Sequence, residues 1–507
     1  MDTDSDRTLI EALQNPAVYD HPVHDIQVLE THISWVLLTG DYAYKIKKRV
    51  NLGFLDFSTL ERRRRCCEEE LRLNRRLAPT LYLAVLSITG EAAHPVLGGA
   101  GPAIEYALKM REFPQAAQLD RVLRRGELTT GHMSQLARRV AAFHDAASVA
   151  SRESPFGDTE EVWQPALQNF RQIRPYLDVA RDGEILASLQ HWSEAEFHRL
   201  TPVWPARKCG GSIRECHGDL HLGNMALVDG ELLIFDCLEF SEALRWIDVM
   251  SESAFVVMDL DDRGRPDLAH RFLNDYLQYR GDYSGLQVLR FYQVYRALVR
   301  AKVSYIRLAQ PSLPKADRDE IHARARNYLA LAQRYTRPVP TPLIITHGLS
   351  GSGKTTLSDV LVESGGAVRV RSDVERKRLF GLEPEARSAS ALATGLYSKE
   401  AGDRTYACLA ERARAIIASG FPVVVDAAFL QRAQRDAFRA LAAELKVPFV
   451  IFHCYAPAAL LRQRIQHRAE AQRDASEADL AVLDYQLRVE EPLAPDEADR
   501  IFTVGAD

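Results

Sequence analysis

Residues 213–240 read IRECHGDLHLGNMALVDGELLIFDCLEF. Short apolar runs enclose His217, Asp219, Asn224 and Asp236, positions where a chain selected only for stability would carry apolar side chains, because a polar group taken out of water costs free energy unless it finds a partner. Polar groups held between strand-like runs are therefore candidates for chemistry. Residues 343–356, LIITHGLSGSGKTT, repeat the situation farther along the chain.

The 507 residues exceed one ordinary hydrophobic core and call for several structural units. A hydrophobic content of 46% beside 26% charged residues describes a globular chain with ample material for packing. The formal net charge of -5 gives no general attraction to nucleic acid or anionic membrane, so any polyanion contact must use local clusters such as ERRRRCC (61–67) and YKIKKR (44–49). The acidic start MDTDSDR does not read as a secretory signal, and no apolar run is long enough to cross a bilayer, which points to the cytoplasm. Seven cysteines show no paired metal spacing; reduced thiols and no structural zinc are expected, with Cys66 and Cys67 packed on a helix.

Alternating prolines at 338, 340 and 342 interrupt a helical pattern and precede a new apolar strand, which reads as an extended connector. The expected segments are 1–337, a linker 338–342, and 343–507. The first begins β-rich and turns mainly helical from about Asp120, a two-lobed pattern.

In the last segment TPLIIT reads as a buried strand and KTTLSDVLVES as a helix, and the residues between them satisfy G-x-x-x-x-G-K-[ST]. Gly348, Gly351 and Gly353 let backbone N–H groups converge on phosphate oxygens; Lys354 supplies a positive charge near the β and γ phosphates. Thr355 offers a hydroxyl to magnesium, and Thr356 completes the ATP-binding set. AVRVRSDVERKR (367–378) puts Asp373 just past a strand, and FPVVVDAAF (421–429) does the same for Asp426. Such positions gather in the ligand crevice of an open α/β sheet. A helix cap is the ordinary alternative for either. In LLRQRIQHRAEAQRDASEADLAVLDYQ (460–486), Arg464 and Arg468 share a helix face, and Ser476 opens an S-x-x-D cap for the next helix.

This segment resembles the small P-loop kinases that include polynucleotide kinases, zeta toxins, gluconate kinase and chloramphenicol phosphotransferase. The resemblance implies that Asp373 activates an acceptor hydroxyl with Arg376 nearby, and that Asp426 positions magnesium or acceptor. It also implies that Arg464 and Arg468 close over ATP, a solvated basic helix being the plainer alternative.

HGDLHLGN, followed by IFDCLEF, resembles the motif of aminoglycoside phosphotransferase and other kinase-like enzymes. By that resemblance Asp219 orients or deprotonates the acceptor hydroxyl, Asn224 and Asp236 hold magnesium on ATP, and His217 braces the loop; no role is assigned to His221. A phosphate-gripping lysine and a helix glutamate should then precede it. HISWVLLTGDYAYKIKKRV (32–50) reads as a hairpin turning at Gly40 and Asp41, with Lys45 and Lys47 on one face. Lys45 fits best and Lys47 is its rival. FSTLERRRRCCEEELRLNRRLAP (57–79) reads as a helix opened by a Ser58-to-Glu61 capping box and ending before Pro79. Glu70 lies nearest its apolar stripe and is the expected partner of the lysine, whereas Glu69 points away. No G-x-G-x-x-G loop precedes Lys45. Adenine would lie near KMREF (109–113), and in LRWIDV (244–249) Asp248 either supports the catalytic loop or caps a helix. Arg296 and Arg300 at helical spacing read as surface charge before any contact with an anionic acceptor or another domain.

The whole order resembles a bacterial family of bifunctional aminoglycoside phosphotransferase/ATP-binding proteins. The resemblance implies an α+β bilobal protein-kinase-like domain followed by an α/β P-loop NTPase kinase domain with a mostly parallel sheet. It implies ATP and magnesium as cofactors and γ-phosphoryl transfer to a hydroxyl-bearing small molecule or the end of an RNA or DNA. One half acting as an ATP-binding sensor or scaffold is the competing expectation, and a polynucleotide 5′-hydroxyl kinase in the P-loop half is a third.

Overall fold

Strand β1 (Gln27–Glu30) pairs with β2 (Ser34–Leu38), which turns at Gly40 into β3 (Tyr42–Lys47). The turn is the expected one: Gly40 lies at φ +97°, where the absence of a Cβ removes the steric penalty. With β4 (Tyr82–Glu91), β5 (His94–Leu97) and β6 (Ala103–Arg111), these strands form an antiparallel sheet in the order β1-β2-β3-β6-β4-β5. The period of two then sorts the side chains of β3. Tyr44 and Ile46 join a core with Leu9 and Ile10 of the helix Thr3–Ala12. Lys45 and Lys47 point to the other face, toward Glu70 of the helix Leu60–Asn74.

That helix begins one residue later than the capping box predicts. Thr59 is its N-cap, accepting from the Arg62 N–H at 3.3 Å, while Glu61 pairs with Arg65 on the outer surface. Thr59 carries the same hydroxyl as Ser58, so a one-residue shift costs nothing locally, and burial of Glu70 decides the register.

The computed structural model describes residues 3–51, 55–308, 314–384, 386, 399–471 and 478–505. By its internal contacts the chain forms two compact units, one of Met1–Leu128, Ala142–Gln164 and Trp204–Asp259, the other of Thr129–Ala141, Pro165–Val203 and Leu260–Asp507. The first unit contains two small antiparallel pairs, β7 (Ile213–Glu215) with β10 (Trp246–Asp248), and β8 (Met225–Val228) with β9 (Glu231–Ile234). Asp229 and Gly230 join β8 to β9 at φ +51° and +81°. Both values suit the two-residue turn whose twist matches a hairpin.

The second unit joins long helices, including Pro266–Arg280, Leu286–Leu308 and Lys315–Tyr335, to a sheet of β11 (Leu343–His347), β12 (Val368–Arg371), β13 (Val423–Asp426), β14 (Phe449–Tyr455) and β15 (Ile501–Gly505). Every pairing in this sheet is parallel and the order is β12-β13-β11-β14-β15. Leu343, Ile345, Val423, Val424 and Val425 are fully buried, as parallel strands covered on both faces require. The compact unit thus runs through the proline-rich stretch 338–342, which punctuates the chain without dividing its contacts. Arg296, read from the sequence as surface charge, is buried. Arg300 stacks over the Tyr328 ring. Among the described residues no helix is long and apolar enough to cross a membrane.

Arg435 of the helix Arg432–Leu445 is buried against Glu497, with Nε 2.9 Å from Oε1, and also donates to the carbonyl of Phe429 at 3.1 Å. Removing one partner of a buried ion pair leaves the other charge without compensation. Arg435→Leu is expected to destabilise the second unit by about 3–5 kcal/mol, read as a lowered denaturant midpoint; a shift under about 1 kcal/mol, the size of an exposed pair, contradicts this account.

Candidate functional sites

The β8–β9 hairpin builds the first site. Its register pairs Met225 with Ile234, and the next rung joins the Phe235 N–H to the Asn224 carbonyl at 2.9 Å. Asn224 and Asp236 are therefore brought to the same open end of the hairpin. Asn224 donates its amide N–H to Asp219 Oδ2 at 3.0 Å and to the Asp219 carbonyl at 3.0 Å, which leaves its amide oxygen as a donor for a cation. Asp236 sits at φ +64° with its N–H on the Tyr82 hydroxyl at 3.1 Å, and its side chain is 47% exposed. An amide oxygen and a carboxylate are the hard ligands magnesium prefers.

Lys45 Nζ lies between Glu70 Oε1 at 2.7 Å and Asp236 Oδ1 at 2.6 Å. Lys47 Nζ takes the other oxygen of Glu70 at 2.7 Å and reaches Glu239. The two rival lysines thus have different places: Lys45 stands beside Asp236, and Lys47 is buried behind it. Glu70 is fully buried, and burial alone would raise its pKa, but the two ammonium groups outweigh that and hold it at about 2. Lys45 loses solvation too, yet Asp236 and Glu70 push its pKa well above the usual range. Glu69 points away to Arg72 and Arg245.

The loop between them is held by buried groups. His217 Nε2 is 2.9 Å from the Phe235 carbonyl, and its Nδ1 receives the Asp219 N–H at 3.3 Å. One partner only accepts and the other only donates, so the ring is the neutral Nε2–H tautomer. Burial lowers its pKa accordingly. His217 is a brace. His221 Nδ1 accepts from the Gly223 N–H, and its Nε2 lies 3.4 Å from Asp219 Oδ2.

The loop amides of Gly218 and Leu222 go to Glu252 and Asp259, at 2.7 and 2.9 Å. Both acids are buried on the helix Val249–Asp262, seven positions and so two turns apart. Two acids two turns apart, separated by the apolar run 254–258, are the sequence signal for them. Asp248 instead pairs with Arg207 at 2.6 and 2.7 Å and caps that helix through the Met250 N–H, the capping alternative. His144, Cys216 and Glu252 place three metal donors within 4.8 Å of one another, but His144 and Glu252 already share a hydrogen bond of 2.8 Å.

The second site lies at the carboxyl ends of β11, β12 and β13, around a cleft of about 1000 Å³. Gly348 follows β11 at φ +143°, and a Cβ there would fall 2.3 Å from the Cys454 carbonyl, so no side chain fits. Gly351 and Gly353 complete the loop, and Gly353 is the N-cap of the helix Lys354–Gly365. Lys354 Nζ donates to the Gly348 and Leu349 carbonyls at 3.0 and 2.8 Å, curled over the loop where a phosphate would lie. Thr355 Oγ1 donates to Asp426 Oδ2 at 3.0 Å, and Asp426 ends β13 beside Arg371 of β12. Two hard oxygens meet there, again suited to magnesium.

Asp373 lies in the first turn of the helix Ser372–Leu379, and Arg376 reaches it at 3.1 Å. Thr356, Asp373, Arg376 and Arg464 all line the cleft. Arg464 donates to the Gly351 carbonyl at 3.2 Å; the side chain of Arg468 and Ser476 lie outside the described residues, and the following helix is capped by Asp479. The sequence reading missed Gln486, whose Oε1 accepts from the Ser350 N–H at 2.8 Å. It also missed His347 and His453, facing each other on β11 and β14 with their Nδ1 atoms 2.8 Å apart.

Family models match the two halves separately: the phosphotransferase enzyme family over residues 60–292 and an AAA domain over 343–493. Uncharacterized proteins of Mycobacterium tuberculosis and Mycobacterium bovis are 32% identical over 459 residues, 90% of this chain and 89% of theirs. Among solved structures, an amicoumacin kinase with AMP-PNP and Ca2+ is 12% identical over 65% of this chain and 94% of its own, with a TM-score of 0.41. A gluconokinase from Sinorhizobium meliloti is 23% identical over 33% of this chain and 84% of its own, with a TM-score of 0.24.

Lys45→Met and Lys47→Met separate the two lysines. Lys47→Met strips both Glu70 and Glu239 of a buried partner and is expected to cost about 3–5 kcal/mol of stability. Lys45→Met takes one ammonium from Glu70 but leaves Lys47 on its other oxygen and Asp236 free to hydrate, so it should cost less stability and more nucleotide affinity. Denaturation and nucleotide titration of both variants check this, and equal losses on both measures contradict it.

His347 is 1% exposed, and burial first, then His453, depress its pKa from 6.5 to about 3. The unfolded chain therefore binds the extra proton between these values and the folded chain does not. Its contribution is complete above pH 6.5 and is lost as the pH falls toward 3, at up to about 1.4 kcal/mol per unit. Melts between pH 7 and 4.5 should show a flatter acid limb for His347→Gln than for the parent protein; parallel curves refute this.

Proposed function

The chain belongs to the family in which a phosphotransferase enzyme domain precedes an AAA-type P-loop domain, and on that footing we propose an ATP- and magnesium-dependent phosphotransferase with two nucleotide sites, each moving a γ-phosphoryl group to a hydroxyl acceptor. The observation that carries this reading is the hairpin that sets Asn224, bonded to Asp219, beside Asp236, bonded to Lys45. A phosphate-binding cation, a pair of hard oxygen donors and a separate carboxylate for the acceptor are the parts that phosphoryl transfer needs.

At the first site Lys45 turns from Asp236 to the phosphates while Glu70 keeps hold of it. Asp219, steadied by Asn224 and His221, accepts the proton of the acceptor hydroxyl. At the second, the loop amides and Lys354 take the phosphates, and Asp373, steered by Arg376, faces the acceptor. Asn224 and Asp236 at one site, and Thr355 and Asp426 at the other, would hold magnesium, which when bound would supply neutralising charge to the phosphates. The acceptors are hydroxyl-bearing small molecules or an RNA or DNA end, met in the cytoplasm.

Incubating the full chain, Asp219→Asn and Lys354→Ala with γ-labelled ATP and an extract of metabolites and RNA tests this. Two product classes are expected, both requiring magnesium, each reduced about 100-fold or more in one variant only. A variant that binds nucleotide differently yet leaves every product unchanged would instead make that half a sensor.

A further inference from the structure

The helix Pro266–Arg280 falls in the region matched by the phosphotransferase enzyme family, yet it belongs to the same compact unit as the P-loop sheet. Its side chains reach that sheet and the helix Lys354–Gly365 at several points. His270 Nδ1 lies 3.0 Å from the Glu363 carbonyl at the end of the P-loop helix. Asn274 Oδ1 accepts the Arg369 N–H of edge strand β12 at 2.8 Å. Arg271 binds Asp359 Oδ1 at 2.7 Å and also Glu363.

From Asp359 the contacts continue to the second site. The same Oδ1 accepts from Arg369 at 2.7 Å. Arg369 is buried, and its guanidinium lies 3.2 Å from Ser358 Oγ and 3.5 Å from the Thr355 carbonyl. Ser358 Oγ lies 2.9 Å from that carbonyl and 3.4 Å from Asp426 Oδ2, the oxygen that accepts from the Thr355 hydroxyl. Three residues, Asp359, Arg369 and Ser358, thus link Arg271 to the two oxygens, of Thr355 and Asp426, assigned to magnesium.

Asp359 and Glu363 are one helical turn apart with like charge, an arrangement that repels. Arg271 sits on both and offsets that repulsion. Without it, Asp359, already about a third exposed, gains by turning to water, and Arg369 loses the carboxylate that aims it. We propose that Arg271 is a positioning residue for the P-loop site: through Asp359 and Arg369 it sets Thr355 and Asp426 for the cation, so that a helix of the kinase-like half completes the other half's site. This rests on the reading of Thr355 and Asp426 as the magnesium-binding pair.

The test uses the full-length chain and a fluorescent ADP analogue, counting only the binding that Lys354→Ala abolishes, with and without magnesium. Arg271→Ala is expected to reduce the gain in affinity conferred by magnesium about tenfold while magnesium-free affinity is unchanged. Arg271→Lys, which keeps one charge contact, should restore part of the gain. Asp359→Asn should show the same loss, and combining it with Arg271→Ala should add no more. Magnesium-dependent and magnesium-free affinities falling together, additive losses in the double variant, or an unchanged magnesium gain in Arg271→Ala each overturn the proposal alone. If Lys354→Ala abolishes no binding, the P-loop reading itself falls, and the proposal with it.

Discussion

Glu70 is an ionised carboxylate shut away from water, and the first site depends on the way its charge is met. Each of its oxygens has its own ammonium, Lys45 on one and Lys47 on the other. Two contacts instead of one fix the helix Leu60–Asn74 against β3 in rotation as well as distance. Each lysine then passes the constraint on, Lys45 to Asp236 and Lys47 to Glu239, so four residues of one short segment are tied at both ends. The left-handed backbone at Asp236 persists because its N–H and its carboxylate are both held.

The two sites hold their cations by different means and reach a similar resting state. In the first, side-chain cations are paired with the chain's own acids. In the second, a backbone loop supplies the donors, and its cations rest on its own carbonyls, Lys354 on Gly348 and Leu349, Arg464 on Gly351. On the proposed reading, an anion arriving at either site would exchange one polar partner for another at groups already in place. Little reorganisation remains, which is what makes preset charge effective in transfer chemistry.

What the sequence revealed divides along the same line. Local rules sufficed for the β2–β3 hairpin, the P-loop between strand and helix, and Glu70 beside an apolar stripe, because each depends on spacing within one element. Partner choice for buried charge does not. Nothing near Lys47 in the chain points to Glu239, which lies 192 positions away, and Arg296 read as a surface residue because its burial is imposed by neighbouring helices. Glu252 and Asp259 fall between these cases: the two-turn spacing was visible, but only the folded loop shows that they receive the Gly218 and Leu222 amides.

The same distinction explains why the prolines at 338–342 mark a change of segment but no break in packing. A parallel sheet has two edges, and an uncovered edge strand invites pairing with another chain. β12 is such a strand, and the Arg369 N–H on it is answered by Asn274, from a helix that precedes the prolines. Farther along, Arg290 donates to the Gly420 carbonyl at 2.6 Å and lies over the Phe421 ring, just before β13 begins. The chain can stiffen and change direction at the prolines because these cross-contacts carry the cohesion. Since β12 delivers Arg371 and leads directly to Asp373 at its carboxyl end, the helix that covers the edge also steadies the strand from which that side of the cleft is built.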